Sequence, residues 1–201
     1  MLVREVMTTP VVTLRQDDHV RRAAQVLLEH QIASAPVVDE HGSLVGIVSE
    51  ADLLRGRTEA DPRAHLRPVG GEAVAPPTTV AAVMASLVFT VRAGEDVAEA
   101  SRLLVDEGIK ALPVVDGRQV VGIVARRDLL RCFAREDDDV RGDVLRLLTD
   151  LGLGDEWQVE VRDGVVDLAG PDHPGRQRAA AVLARTVPGV VRVQRADGSS
   201  T

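Results

Sequence analysis

Aromatic side chains are nearly missing from this chain: its 201 residues hold no tyrosine, two phenylalanines (Phe89, Phe133) and one tryptophan, Trp157. Base stacking on single strands and sugar platforms both need exposed rings, so neither is expected. Basic charge is also short, with 24 Lys and Arg against 31 Asp and Glu and a net charge of −7. A polyanion partner normally meets a basic face, and no nucleic-acid partner is expected. The single cysteine, Cys132, cannot form an internal disulfide and points to a reducing compartment. An ordinary half-buried thiol is expected there rather than a redox switch. Unbroken apolar runs stay far below the ~18 residues of a membrane span. The start, Met1-Leu2-Val3-Arg4-Glu5, lacks the basic-then-apolar order of a secretory signal. Cytoplasmic localisation is the expectation. Lysine occurs once, at Lys110, against many arginines, which reads as genome composition rather than function.

Chemical motifs are equally sparse. No Gly-x-x-x-x-Gly-Lys-Ser/Thr phosphate loop occurs, and Gly152-Leu153-Gly154 lacks the third glycine of a dinucleotide fingerprint. His19, His30, His41, His65 and His173 are scattered, without paired ligand spacing or cysteine partners, so no metal site is expected. Ser49 has no histidine in its own motif. No pair of carboxylates sits where one would be tuned as acid and the other as base. The chain reads as non-catalytic and requiring no cofactor.

What is present is a repeat. Apolar residues make up 45% of the chain, enough for a core. Val3-Arg4-Glu5-Val6-Met7 recurs as Val80-Ala81-Ala82-Val83-Met84, and Val12-Thr13-Leu14-Arg15 as Phe89-Thr90-Val91-Arg92. Pro36-Val37-Val38-Asp39 recurs as Pro113-Val114-Val115-Asp116, and Gly46-Ile47-Val48 as Gly122-Ile123-Val124, one residue having been lost in the turn between. Such order over some fifty residues marks a duplicated unit. In each copy an amphipathic helix is predicted (Val20, Ala23, Ala24, Leu27 and Leu28 inward; then Val97, Ala100, Leu103 and Leu104), with Asp17 or Asp18 as the first N-cap. Two β-branched runs follow, turning through Asp39-Glu40-His41-Gly42 and through Asp116-Gly117. A short helix opens at Ser49–Asp52. Each copy is strand, helix, strand, strand, helix, too small to bury both sides of its sheet, which pairing face to face would solve. A Pro- and Gly-rich connector, 59–79, separates copy 1 (1–58) from copy 2 (80–133); His65 within it reads as a surface residue.

From residue 136 the pattern changes. Glu136-Asp137-Asp138-Asp139 suits a helix N-terminus, and Val140, Val144, Leu147, Leu148 and Leu151 form a stripe. Trp157, Val159 and Val161 alternate as a strand, Asp163-Gly164 turns, and Val165 to Leu168 returns. A helix with Ala179, Val182 and Leu183 inward stops at Pro188-Gly189, and Val191 to Val193 forms a last strand. The fold class is therefore α+β: two paired copies plus a small αββαβ unit (136–196), with a tail at 197–201.

These residues carry two resemblances. The repeat resembles the cystathionine-β-synthase (CBS) motif, through Val6-Met7, Thr13-Leu14, Ala35 to Asp39, Leu44 to Ser49, Asp52 and their counterparts; two in tandem resemble a Bateman module. Residues 136–196 look like a BON domain, through Val159 to Val161, Gly164 to Gly170 and Pro188 to Val193. The first resemblance implies two clefts for an adenosine-type ligand such as AMP, ADP or ATP. One would combine Ile47, Ser49 and Asp52 with Ala93, Ile109 and Lys110. The other would combine Ile123, Arg127 and Asp128 with Gln16, Ile32 and Ala33. An aspartate can accept from both ribose hydroxyls, a serine at a helix start suits a phosphate, and Ile47 would wall the adenine. Ala125 stands where Ser49 stands in the first copy, with Arg126 and Arg127 as substitute phosphate charges. The implied function is a sensor with the BON-like unit as output, and the implied assembly is a homodimer through the carboxyl-terminal helices of each copy. The alternative is an envelope-associated interaction protein whose BON-like unit docks on phospholipid or a protein partner, its clefts being vestigial. Asp52 and Asp128 serving only as helix-start residues is the plain structural alternative for the site itself.

Overall fold

The computed structural model of the protein describes residues 1–55, 57 and 76–195. Most of the 59–79 connector, His65 and the 197–201 tail lie outside the described residues. The chain divides into two compact units, one made of Thr8–Arg92 with Gly108–Ile123 (the central unit), the other of Met1–Met7, Ala93–Glu107 and the chain from Val124 onward (the flanking unit).

In the central unit the first copy runs β1 (Leu14–Arg15), α1 (Val20–Glu29), β2 (Ser34–Val38), β3 (Leu44–Ser49) and α2 (Glu50–Leu54), in the predicted order. β1 lies parallel to β2, with Leu14 opposite Val37, and β2 is antiparallel to β3, with Ser34 opposite Ser49. β2 is buried along its whole length, which its Ser-Ala-Pro-Val-Val composition permits. α1 turns Val20, Ala23, Val26 and Leu27 inward, but Leu28 is 76% exposed, so the stripe is narrower than expected. The helix cap also differs from expectation. His19 is the N-cap, its Nδ1 accepting from Arg21 N at 3.2 Å, because the Asp18 carboxylate is taken by Arg15 N at 2.8 Å. The β2–β3 turn is held by Asp39, whose Oδ1 accepts from His41 N and Ser43 N at 2.9 Å each. The Ser43 N–H, then the His41 N–H, hold that carboxyl below its usual range. β4 (Ala111–Asp116) and β5 (Gln119–Ala125) form the second copy's hairpin, and Val91 bridges Val114 in parallel, as Leu14 does Val37 seventy-seven residues earlier.

Each copy lends its leading segment to the other. In the central unit Val80 N donates to Asp18 O, Ala81 N to Gln16 O and Val20 N to Thr78 O, all at 2.9 Å. In the flanking unit the counterparts recur: Val3 N to Glu95 O and Arg4 N to Ala93 O at 2.9 Å, and Val97 N to Met1 O at 3.1 Å. Ile47 and Ala85 exchange two backbone hydrogen bonds of 2.9 Å, and Thr8 and Ile123 exchange bonds of 2.8 and 3.1 Å. Val80 is fully buried in one core with Leu14, Val20, Ala35, Val37, Val48 and Leu53. A valine from copy 2 thus completes the core of copy 1. Full burial of a valine stabilises by about 1.5–3 kcal/mol, and here that gain depends on both copies being present.

In the flanking unit α3 (Val97–Asp106) is capped by Asp96 and buries Val97, Ala100 and Leu104. α4 (Arg126–Phe133) buries Asp128, Leu129 and Cys132. Burial pushes the Cys132 thiol pKa up, the opposite of what a reactive thiol needs. The chain continues as α5 (Asp137–Asp150), β6 (Gln158–Arg162), β7 (Val165–Ala169), α6 (Pro174–Ala184) and β8 (Arg192–Arg195). The sheet order is β6-β7-β8, antiparallel then parallel. Val140, Val144, Leu148, Trp157, Val166 and Val193 lie in its core. Two expectations fail here. Leu151, past the end of α5, and Val182 on α6 are each 56% exposed, and it is Ala180 and Ala184 that face inward. The small alanines let α6 lie close to the sheet. Asp163 and Gly164 take positive φ of 50° and 73°, as a two-residue hairpin turn requires. Asp137 accepts from both of their N–H groups, at 2.8 and 3.0 Å, so this acid grips the turn as well as starting a helix. Arg135 donates to Pro188 O at 2.8 Å and to Asp143 at 2.6 Å, tying the end of the repeat to the αββαβ segment. No helix among the described residues is long and apolar enough to cross a membrane.

Candidate functional site

The end of β3 and the start of α2 form the corner to which the sequence directs attention. Alternation along β3 buries Val48 completely and leaves Ile47 and Ser49 half-buried. The chain then turns into α2, where Glu50 N donates to Ala33 O at 3.0 Å. Asp52, one turn along, reaches back: its Oδ2 accepts from Ser49 N at 2.9 Å and from Ser49 Oγ at 2.6 Å. The serine hydroxyl donates to the aspartate here. A carboxylate offers about four lone-pair sites. Ser49 takes two of them on Oδ2, and Oδ1 lies 3.8 Å from Arg55 Nη2. The Asp52 side chain remains 19% exposed, so acceptor capacity for a diol persists on Oδ1.

Lys110, from the second copy, stands at the same corner. Its Nζ lies 3.3 Å from Glu50 Oε2, with both side chains about half exposed. Of the six residues expected to form the first cleft, Ile47, Ser49, Asp52, Ile109 and Lys110 belong to the central unit, and Ala93 belongs to the flanking unit. Glu50 was not anticipated. Its signal in the sequence is a charge reversal, since the residue 76 positions on is Arg126.

The second set is divided. Gln16, Ile32, Ala33 and Ile123 are in the central unit, Arg127 and Asp128 in the flanking unit. Gln16 is exposed, and Ile32, Ala33 and Ile123 are half-buried. Asp128 Oδ2 accepts from Ala125 N at 2.8 Å, the same backbone link that Asp52 makes, but with no hydroxyl to accompany it. Its side chain is only 4% exposed and its Oδ1 lies 3.5 Å from Arg131. Arg126 donates to Leu104 O at 3.0 Å. The two aspartates thus share a helix-starting role and differ in access. A hollow of about 350 Å3 in the central unit, lined by Thr9, Thr13, Val38 and Gln119 among others, contains none of the expected site residues. Among the described residues, no group of three or more His, Cys, Asp or Glu side chains is placed to hold a metal ion.

The CBS domain model matches residues 3–59 and 80–135, more than half of the chain. This protein belongs to the CBS domain family. Its CBS pair is 30% identical over 133 residues to the L-aspartate semialdehyde sulfurtransferase of Methanocaldococcus jannaschii, covering 66% of this chain. The chain spans 23% and 32% of the length of two curated relatives that it matches. Among solved structures, the CBS domain pair of protein MJ0100 in complex with 5′-methylthioadenosine and S-adenosyl-L-methionine is similar at 30% identity and a TM-score of 0.55, covering 66% of this chain and 95% of that one. CBSX2 of Arabidopsis thaliana in complex with AMP is similar at 28% identity and a TM-score of 0.53, covering 65% and 93%.

Proposed function

We propose that this protein is a non-catalytic regulatory sensor in which the CBS pair binds an adenosine-type ligand. Ile47, Ser49, Asp52, Ile109 and Lys110, all in the central unit, would form the first site. The observation that carries this reading is the meeting of Lys110 from one copy with the Ser49–Asp52 corner of the other, so that a ligand there would touch both copies. The adenosine compounds bound by the similar CBS pairs of MJ0100 and CBSX2 support the same ligand class. In the site Ile47 would flank the base and Asp52 Oδ1 would accept from the ribose hydroxyls. Gln16, Ile32, Ala33 and Ile123 are the central unit's counterparts for a second ligand. Such a sensor works only if the ligand binds one conformation better than another.

The α-β-β-α-β order of residues 137–195 fits a BON-like unit, which we take as the output or docking element. Leu54 is 63% exposed in the central unit; Leu130 and Phe133 are 64% and 60% exposed in the flanking unit. Apolar residues in such positions suit a homodimer through the carboxyl-terminal helices of each copy. Sedimentation would then return about twice the 21.5 kDa of one chain, and a single-chain mass at micromolar concentration would contradict it.

A thermal-shift panel of AMP, ADP, ATP, 5′-methylthioadenosine and S-adenosylmethionine tests the ligand reading. A ligand at about 100 times its Kd stabilises by about 2.7 kcal/mol, so at least one compound should raise the Tm of the full chain. The rise should shrink in Asp52→Ala. A flat response to the whole panel would contradict the reading.

A further inference from the structure

We infer that the first site selects adenosine compounds whose 5′ substituent carries no phosphate, and that Glu50 sets this selection; the inference rests on the adenosine reading above. Among the described residues, Lys110 and Arg55, the cations paired at this corner, are already matched to acids. Lys110 Nζ sits 3.3 Å from Glu50 Oε2, and Arg55 Nη2 sits 3.8 Å from Asp52 Oδ1. A phosphate arriving here would have to displace Glu50 from Lys110 while standing near two carboxylates. The hydroxyl best placed to help it, Ser49 Oγ, donates to Asp52 at 2.6 Å. Like charges disfavour one another at such range. An uncharged thioether meets no such penalty, and a sulfonium or ammonium group would be attracted by the Glu50 carboxylate.

The fold does not itself demand an acid at this position. Copy 2 carries Arg126 at the counterpart and opens α4 from the same kind of turn, with Asp128 accepting from Ala125 N as Asp52 accepts from Ser49 N. Glu50 pairs with Lys110 across the copies, about half exposed. An acid at a position where the other copy holds a base, directed at the one lysine of the chain, is explained by ligand choice rather than by folding.

Calorimetry on the full chain, with 5′-methylthioadenosine, S-adenosylmethionine and AMP as titrants at physiological salt, tests this. Wild type should bind the first two at least about tenfold more tightly than AMP, one unit charge at partly solvated range being worth about that factor. Glu50→Gln should strengthen AMP by about tenfold and weaken S-adenosylmethionine, leaving methylthioadenosine within about twofold. Asp52→Ala should weaken all three. If AMP binds wild type as tightly as methylthioadenosine, or Glu50→Gln leaves the ratio unchanged, the selection is refuted while the adenosine reading stands. If none of the three binds, or Asp52→Ala changes nothing, both fall together.

Discussion

Gly46 sits where the leading segment of copy 2 crosses β3, and its replacement by alanine tests whether that crossing holds the fold together. A Cβ at this position would lie 2.6 Å from Met84 Sδ and 2.9 Å from Ala85 O. The methionine sulfur is on a flexible arm and can swing aside. The carbonyl cannot, because Ala85 exchanges two backbone hydrogen bonds of 2.9 Å with Ile47. A carbon–oxygen contact relaxes at about 3.3 Å or more, so the segment must retreat by about 0.4 Å and stretch both bonds. Overpacking of this kind costs about 1–3 kcal/mol, and each kcal/mol moves the Tm by about 2–4 °C at this size. Gly46→Ala should therefore lower the Tm by about 2–12 °C and the urea midpoint in proportion, without changing the m-value. Gly94→Ala is the control: no atom lies within 4 Å of its Cβ, and the change should stay within about 0.5 kcal/mol. Equal stability of the two variants would refute the claim that the exchanged segment is pressed tightly on β3.

Three further outcomes are expected. Gly142→Ala, in the middle of α5 with open space around the added carbon, should stabilise by about 0.5–1 kcal/mol in denaturant unfolding. Asp137→Ala should destabilise by about 1–3 kcal/mol, because Asp163 N and Gly164 N lose their acceptor, and an unchanged unfolding midpoint would contradict the grip on the turn. The Arg135 hydrogen bond, more than the weaker attraction of Arg146, holds the Asp143 carboxyl below its usual range. The pair therefore stabilises fully above the unfolded carboxylate pKa of about 4 and loses that contribution as pH falls through the folded value. Arg135→Ala should flatten this acid limb when unfolding is followed from pH 6 to pH 2.

Much of this architecture is legible in the sequence because the duplication repeats every local signal twice. The order of elements and both hairpin turns follow from spacing and turn residues, and attention to the Ser49-x-x-Asp52 corner follows from the resemblance to the CBS motif. The crossing of Val3 and Val80 into the other copy's neighbourhood does not, since a buried valine in a short segment carries no mark of which sheet receives it. The width of an apolar stripe is similarly hidden: Leu27 and Leu28 are adjacent on α1, and only the packing decides that one is buried and the other faces out. His19 stands beside Asp17 and Asp18, and a run of three capping residues leaves the choice to a tertiary detail, the capture of Asp18 by Arg15 N. Asp137 was readable as a helix-start acid, but its bonds to a turn 26 residues away were not. In the site, the helix-start role of the two aspartates, the structural alternative to ligand binding, is seen in their bonds to Ser49 N and Ala125 N. The ion pair between Glu50 and Lys110 spans 60 residues, and no local pattern announces it.

Native mass spectrometry of the full chain titrated with the adenosine panel tests the central claim most directly, because it counts bound ligands per chain. The account predicts at least one adenosine compound bound per chain in wild type, with that occupancy sharply reduced in Asp52→Ala. A chain that retains no member of the panel, or an adduct whose occupancy is the same in Asp52→Ala, would contradict it.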